Sequence, residues 1–208
     1  MKMNTRQLWD LQNRHPGDRL RLFRAVQAER SIRRALYPGS YVDVALSFVF
    51  QDVVYADMDR RAGQFFSDRE GVAGIIAGQH AAPANPSFRF IQADYNEDLG
   101  LTEESFDLLV SLYAGFVSEA CTQYLRVGGL LLVNGSHGDA AMAAIDPRYQ
   151  LMGVVAPSRG GYRVKTSGLQ DYLVPKRRTE ITREILRETG RGIAYTKPSS
   201  AYLFERIE

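Results

Sequence analysis

The stretch "LYPGSYVD", residues 36–43, decides the prediction of the fold, because it has the composition of a strand that ends in a tight turn. Apolar and aromatic residues favour a strand, and Pro38 and Gly39 favour a turn directly after it. In doubly wound α/β proteins the turn after the first strand lies beside the bound ligand. This turn has one glycine, whereas nucleotide-binding turns of this type usually have two or three. The stretch therefore predicts a strand-to-turn junction with a reduced glycine content.

Outward from this stretch, short apolar runs alternate with longer amphipathic segments. We predict strands at 33–37, 52–57, 88–94, 106–113 and 130–136. Helices are predicted at 41–50 and 116–125, and one or two helices at 60–79. Neighbouring parallel strands need crossover connections, and these are right-handed. The pattern therefore predicts an α/β fold with a doubly wound, mostly parallel sheet and helices on both faces.

The two ends of the chain differ from this pattern. Residues 1–32 are predicted to be a helical extension, with helices at 3–14 and 18–29 that either cover the crevice of the sheet as a lid or only pad it. Residues 33–208 form the main domain, with hairpin and helix additions from about 149 onward. Two hairpins are predicted, 149–157 with 161–167 and 192–197 with 201–207, separated by a helix at 179–189. One late strand is expected to join the sheet edge in the antiparallel direction.

The composition is that of an ordinary globular protein, with 45% hydrophobic and 24% charged residues. The longest nearly apolar run, 108–117, is too short to span a bilayer, and the first ten residues lack the apolar core of a secretory signal. We therefore expect a cytoplasmic protein that does not enter a membrane. Three scattered histidines and the single Cys121 show no metal-ligand spacing, so no metal site is predicted.

Acidic residues follow the second and third predicted strands, where ligands of doubly wound sheets bind. Asp57 stands eighteen residues after Gly39 and is suited to accept hydrogen bonds from both hydroxyls of a ribose. Asp94 closes the third strand and can accept a hydrogen bond from an exocyclic amine such as that of adenine. Each aspartate taken alone also suits a helix cap or a turn, so their joint placement carries the ligand prediction.

The segments "LYPGSYVD", "VVYADMD", "FIQADYNEDL", "ESFDLLVSLYA" and "YLRVGGLLLVN" together resemble class I S-adenosylmethionine-dependent methyltransferases over about residues 33–140. The sequence departs from that family in the glycine turn, where Tyr37 stands at the acidic position and Tyr41 and Asp43 stand at two glycine positions. The resemblance implies that the turn wraps the methionine part of the cofactor and that Asp57 holds the ribose. It also implies that Asp94 and Tyr95 flank the adenine and that Ser111 lines the floor of the cofactor site. The implied cofactor-binding residues are Tyr37, Pro38, Gly39, Ser40, Tyr41, Asp57, Met58, Asp94, Tyr95 and Ser111.

Methyl transfer from S-adenosylmethionine, which leaves S-adenosylhomocysteine, is an in-line displacement that depends mainly on alignment of donor and acceptor. A base is needed only if the acceptor must lose a proton, and Tyr113 and His137 are the candidates for that role. Asp139 is expected to cap the helix that follows it, and Asp43 either faces the ammonium group of the cofactor or caps its own helix. Ser136, His137 and Asp139 are too close in sequence for a catalytic triad.

Three functions remain open at this stage. The first is methylation of an acceptor, expected to be a small molecule, and the second is a catalytically silent scaffold of the same fold. The third, a nicotinamide-dependent oxidoreductase, lacks the Gly-x-Gly-x-x-Gly fingerprint. A basic stretch with aromatic residues nearby could also contact nucleic acid; its residues are Lys176, Arg177 and Arg178 with Tyr162, Tyr172 and Tyr195. Three adjacent charges are commonly just a solvated loop, and no recognition motif accompanies them. The oligomeric state is not predicted.

Overall fold

A computed structural model describes residues 3–80 and 82–208 of the chain. In this part of the chain one eight-stranded sheet has the order β3-β2-β1-β4-β5-β8-β6-β7. The strands are Arg34–Pro38 (β1), Asp52–Ala56 (β2), Ser87–Ile91 (β3), Phe106–Ser111 (β4), Leu125–Val133 (β5), Tyr149–Ser158 (β6), Gly161–Lys165 (β7) and Ala201–Arg206 (β8). The α-helices are Thr5–Gln12 (α1), Asp18–Gln27 (α2), Arg60–Ser67 (α3), Arg69–Ala77 (α4), Val117–Ala120 (α5), Asp139–Ile145 (α6) and Arg183–Thr189 (α7).

The first five strands pair in parallel, and β8, β6 and β7 extend the sheet in antiparallel pairs. The two faces follow from the alternation of side chains along the strands. One face packs against α1 to α4, and its core contains residues such as Phe23, Tyr37 and Tyr55. The other packs against α5, α6 and the 3₁₀ turn Leu169–Leu173. The predicted doubly wound, mostly parallel sheet with helices on both faces is confirmed.

The predicted helix at 41–50 is wrong, because only the 3₁₀ turn Ala45–Phe48 forms there. Tyr41 has a left-handed backbone with φ of 49°, which a right-handed helix does not allow. The Asp43 carboxylate accepts a hydrogen bond from the backbone N–H of Ala45 at 3.0 Å, which favours a turn over a helix. Almost every residue of this segment is buried, so it forms part of the hydrophobic core and has no exposed face of the kind an amphipathic helix presents.

The predicted helix at 116–125 is also too long. The α-helix α5 ends at Ala120, and the chain enters β5 at Leu125, five residues before the predicted strand begins. Leu125 pairs with Phe106, after which the register shifts and Leu130 pairs with Leu108. An irregular pairing of this kind lets β5 start early, and it leaves no alternating signal in the local sequence.

The second predicted hairpin, 192–197 with 201–207, does not form. Strand β8 pairs with β5 on one side and with β6 on the other, so both of its edges are already used. The segment 192–197 instead makes a single bridge, between Pro175 and Tyr195. The first predicted hairpin is confirmed as β6 and β7, and the expected antiparallel strand beside the parallel sheet is β8.

Candidate functional site

The switch point of the sheet lies between β1 and β4. These neighbouring strands continue to opposite sides, β1 toward β2 and β4 toward β5. In open α/β sheets the crevice outside the carboxyl ends of the strands at this point is the usual ligand site. The loops that follow β1, β2, β3 and β4 therefore define the candidate site, and these loops carry most of the predicted cofactor-binding residues.

The glycine turn, residues 38–41, is held closely by its neighbours. Gly39 has φ of 65° and donates a backbone hydrogen bond to the Ala56 carbonyl at 2.8 Å. A Cβ atom built on Gly39 would lie 2.7 Å from the Ala114 Cβ and 3.6 Å from the Tyr95 ring. The loops after β1, β3 and β4 thus meet at Gly39. Both the left-handed backbone and the close approach of Ala114 require glycine at this position.

Asp57, at the carboxyl end of β2, lies directly beside the glycine turn. Its Oδ2 accepts a hydrogen bond from the backbone N–H of Tyr41 at 2.7 Å, and its Oδ1 accepts one from Asp59 at 2.8 Å. Each carboxylate oxygen has two lone pairs, so Asp57 retains capacity to accept from a ligand hydroxyl. Met58, the next residue, is 67% exposed and leaves an apolar side chain on the surface beside this carboxylate.

Ser40 carries an unsatisfied polar group. Its side chain is 2% exposed, and its Oγ has no hydrogen-bond partner among residues 3–80 and 82–208. A buried hydroxyl without a partner costs about 1–3 kcal/mol, so such a group in a native protein indicates a missing partner or a functional role. Ser40 stands between Gly39 and Tyr41, at the centre of the turn that the resemblance predicts to bind the cofactor.

The residues after β3 turn partly toward their own loop. Asp94 Oδ1 accepts hydrogen bonds from the backbone and side chain of Asn96 at 2.9 and 2.8 Å. The Tyr95 hydroxyl accepts a hydrogen bond from the backbone N–H of Gly115 at 2.9 Å, and burial raises the pKa of Tyr95. Tyr95 therefore connects the loop after β3 to the loop after β4 across the glycine turn.

Two further predicted residues face the protein interior. The Tyr37 ring packs between Phe23 and Tyr55, and its hydroxyl donates to Asp43 Oδ2 at 3.3 Å. Pro38 is buried at the end of β1. The Tyr37 hydroxyl is therefore bound to Asp43 and is not presented directly to a ligand.

Ser111, the predicted floor residue, belongs to a buried polar cluster around Asp139. The Ser111 Oγ donates to Asp139 at 2.5 Å, and the Ser118 hydroxyl and backbone N–H donate to the same carboxylate. Burial raises the pKa of Asp139 to about 6, against the opposing effect of these hydrogen bonds. The prediction that Asp139 caps its own helix is wrong, because Gly138 is the N-cap of α6 and the Asp139 side chain binds the first turn of α5 instead.

The two candidate bases differ in their surroundings. Tyr113 has φ of 60° and a 64% exposed side chain, and its ring lies 5.1 Å from the guanidinium carbon of Arg19. Left-handed backbone at a tyrosine costs about 1–3 kcal/mol, and strain of this kind clusters at functional sites. His137 is exposed in the loop after β5. The structure thus brings Tyr113, but not His137, to the switch point beside β1.

A cavity of about 190 Å³ opens at the switch point between the turn joining α1 to α2 and the ends of β1 and β4; we name it the switch-point cavity. Its walls come from both regions of the chain, with Asp43 and Tyr113 contributed by the sheet. The lining residues from the helical region are Trp9, Gln12, Asn13, His15, Asp18 and Arg19. The helical region therefore forms one wall of this cavity.

Arg19 is the residue that sequence reasoning missed. Its Nε lies 3.2 Å from Asp43 Oδ2, and the Asp43 side chain is 2% exposed. Burial raises the pKa of Asp43, while the charge of Arg19 and hydrogen bonds from Ala45 and Tyr37 lower it. A buried carboxylate needs such a partner. Asp43 therefore pairs with a cation of the protein itself, Arg19 of α2. The helix that Asp43 was predicted to cap does not form, and its predicted contact with the ammonium group of the cofactor stays a prediction. No local pattern in the sequence connects residues 19 and 43.

The basic stretch is placed away from this cavity. Lys176, Arg177 and Arg178 are exposed, whereas Tyr172 and Tyr195 are 3% and 6% exposed. Tyr162 donates its hydroxyl to Asp18 at 2.8 Å. Tyr172 and Tyr195 are therefore buried, whereas Tyr162 is partly buried with its hydroxyl bound to Asp18. Contact of the basic stretch with nucleic acid stays a prediction.

The described residues contain no group of three or more His, Cys, Asp or Glu side chains placed to hold a metal ion. Every helix in the same part of the chain is too short or too polar to cross a bilayer.

Comparisons with known proteins give structural likenesses only. No family model matches the sequence, and no curated protein matches it either. A SAM-dependent methyltransferase from Archaeoglobus fulgidus is similar at 13% identity with a TM-score of 0.45, covering 95% of this chain and 96% of that one. The O-methyltransferase TomG from Streptomyces achromogenes, solved in complex with SAM, is similar at 12% identity with a TM-score of 0.43, covering 70% of this chain and 76% of that one.

Both neighbours are methyltransferases. Because both TM-scores lie below 0.5 and both identities below 25%, we base the class of this protein on its own strand order. That order defines a doubly wound α/β protein with an antiparallel extension and a candidate ligand site at the β1–β4 switch point.

Proposed function

We propose that this protein binds S-adenosylmethionine at the glycine turn and transfers its methyl group to a small-molecule acceptor. The observation that carries the proposal is the convergence of three strand-end loops on Gly39, with Asp57 within hydrogen-bond distance of the turn and Tyr95 and Ala114 against it. The unpartnered Ser40 hydroxyl in the same turn supports a ligand there. The comparisons add no weight to it.

The residues of the turn suit an adenosyl ligand in different ways. Asp57 would accept from the ribose hydroxyls through the lone pairs that Tyr41 and Asp59 leave free. Asp94 would accept from the exocyclic amine of adenine, and the exposed Met58 would cover one side of the ring. When bound, the cofactor supplies an electrophilic methyl group on sulfur. The protein would contribute mainly alignment, with Tyr113 placed to take a proton from an acceptor that must lose one.

A catalytically silent scaffold is the second candidate, and specific contacts favour it. Ala114 and Tyr95 lie against Gly39, and both oxygens of Asp57 already accept backbone hydrogen bonds. These contacts place Ala114 and Tyr95 close against the turn and use one lone pair of each Asp57 oxygen. A scaffold needs no ligand in the turn, so the two candidates differ in whether the turn accepts a nucleoside at all.

Calorimetry with S-adenosylhomocysteine and with NAD separates the three functions. We expect micromolar binding of S-adenosylhomocysteine and none of NAD. Asp57→Ala should weaken this binding by about 1–3 kcal/mol, the range for leaving a polar partner unpaired. Asp52→Ala is the matched control, because Asp52 lies at the other end of the same strand, paired with Arg34. Silence with both ligands would support the scaffold, and binding of NAD alone would support the oxidoreductase.

A further inference from the structure

The switch-point cavity is rich in hydrogen-bond donors. Arg19, Gln12, Asn13 and His15 all present N–H groups among its lining side chains. Two aromatic residues, Trp9 and Tyr113, provide flat walls. A ligand for this cavity therefore needs acceptor atoms and one flat apolar part.

The two acids that also line the cavity are already engaged. Asp43 is held by Arg19, by the Tyr37 hydroxyl and by the Ala45 N–H. Asp18 accepts from the Tyr162 hydroxyl and lies 3.6 Å from Arg21 Nη2. Both carboxylates therefore have partners within the protein, and the N–H donors of the lining side chains are available to a ligand.

Arg19 is the donor best suited to recognise a ligand. Its Nε faces Asp43 and its guanidinium lies near the Tyr113 ring, while its terminal nitrogens make no side-chain hydrogen bond to the described residues. Burial opposes its charge, but Tyr37, Asp43 and Tyr113 together raise the pKa of Arg19, so it stays protonated. A planar guanidinium with free terminal N–H groups matches the two oxygens of a carboxylate.

We propose that the switch-point cavity binds the carboxylate of a small aromatic acid, which Arg19 recognises. The volume of about 190 Å³ corresponds to roughly six water molecules and suits a single-ring acid. The assignment of this acid as the methyl acceptor rests on the proposed function, whereas its binding does not. The amino-acid end of S-adenosylmethionine also carries a carboxylate, and the experiment separates these two sources.

The test uses three single-ring probes of similar size that differ in charge at neutral pH: benzoate (negative), benzamide (neutral) and benzylamine (positive). We expect benzoate to bind most tightly in an NMR titration of the full chain. Arg19→Lys keeps a cation beside Asp43, so the fold is retained, but it removes the planar fork and should weaken benzoate binding by at least about tenfold. Arg24→Lys, five residues further along α2, exposed and outside this cavity, should change it by less than about twofold.

Equal or tighter binding of benzamide or benzylamine, or no binding of any probe, would overturn the proposal. So would an Arg19→Lys variant that melts like the parent protein and still binds benzoate equally well. The titration is repeated with saturating S-adenosylhomocysteine. Retained benzoate binding supports a separate acid, and its displacement assigns the carboxylate site to the cofactor and overturns the acceptor role. Failure of S-adenosylhomocysteine to bind would contradict the proposed function and leave the benzoate result standing.

Discussion

At the scale of single residues, the candidate site is built from backbone conformations that side chains rarely adopt. Gly39, Tyr41 and Tyr113 all have positive φ, and all three stand in the loops that follow β1 and β4. Tyrosine at such positions is strained by about 1–3 kcal/mol, and the surrounding contacts must compensate. The switch point therefore carries stored strain, as ligand-binding loops often do.

Replacing Gly39 tests how tightly this turn is held. Gly39→Ala places a Cβ on a left-handed backbone and 2.7 Å from the Ala114 Cβ, so we expect a loss of about 2–5 kcal/mol in the free energy of unfolding. Gly100 has a similar φ of 60° with nothing within 4 Å, so Gly100→Ala should lose only about 1–2 kcal/mol. Urea denaturation of both variants measures the difference. Equal losses would mean that Ala114 does not press on the turn.

At the scale of elements, Asp139 joins three pieces of the fold. It begins α6, and it binds Ser111 at the end of β4 and Ser118 in α5. A carboxylate in this position fixes the loop after β4, which carries Tyr113 and Ala114, from behind. The geometry of the candidate site therefore depends on a carboxylate that is only 1% exposed.

The raised pKa of Asp139 predicts a pH dependence of stability. The folded protein keeps the proton up to about pH 6, whereas the unfolded chain releases it near pH 4. The stability of the parent protein relative to Asp139→Asn should therefore fall as pH rises from about 4 to 6, by about 3 kcal/mol at most, and then stay level. Denaturation of both proteins at pH 4.5 and pH 8 measures this change.

Asp98→Asn is a control at a carboxyl whose pKa is lowered in the folded protein. Hydrogen bonds from the Gly100 N–H and the Tyr124 hydroxyl lower the pKa of Asp98, so the stability from this group is present at neutral pH and lost as pH falls through its folded pKa. Between pH 4.5 and pH 8 the difference between Asp98→Asn and the parent protein should therefore stay level, and it should shrink only below about pH 4. A difference between Asp139→Asn and the parent protein that is independent of pH would show that the Asp139 carboxyl titrates normally.

At the scale of the whole molecule, α1 and α2 belong to the same core as the sheet. Leu8, Trp9, Leu22, Phe23 and Val26 are buried in one cluster with residues of β1, β2, β4 and β5. The same two helices supply Arg19 and one wall of the switch-point cavity. The helices therefore connect the stability of the fold to the shape of the site.

A pair of leucines tests this integration. Leu22 is 5% exposed and Leu11 is 50% exposed. Leu22→Ala should lower the free energy of unfolding by about 2–5 kcal/mol within a single transition, and Leu11→Ala should change it by less than about 0.5 kcal/mol. Thermal unfolding followed by two spectroscopic probes measures both. A separate early transition in Leu22→Ala would mean that the helices unfold independently of the sheet.

Much of the fold could be predicted from the sequence because it depends on local patterns. Apolar runs mark the parallel strands, and Pro38 with Gly39 marks the turn after β1. The failures have long-range causes. Tyr41 and Asp43 keep the segment 41–50 from forming a helix, and β8 is taken up by strands on both sides. The partnership of Arg19 with Asp43 joins different elements, so neither stretch of sequence contains a sign of it.

The position of β8 has a consequence for the order in which the molecule is assembled. Strands β6 and β7 precede β8 in the chain, yet β8 separates them from β5 in the sheet. During synthesis the β6–β7 hairpin emerges from the ribosome before the strand that must join it to the growing sheet. Until β8 is synthesised, the edges of β5 and β6 that it will pair with are exposed in the nascent chain. At these unpaired edges the chain can associate with other chains, and chaperones can bind and protect it.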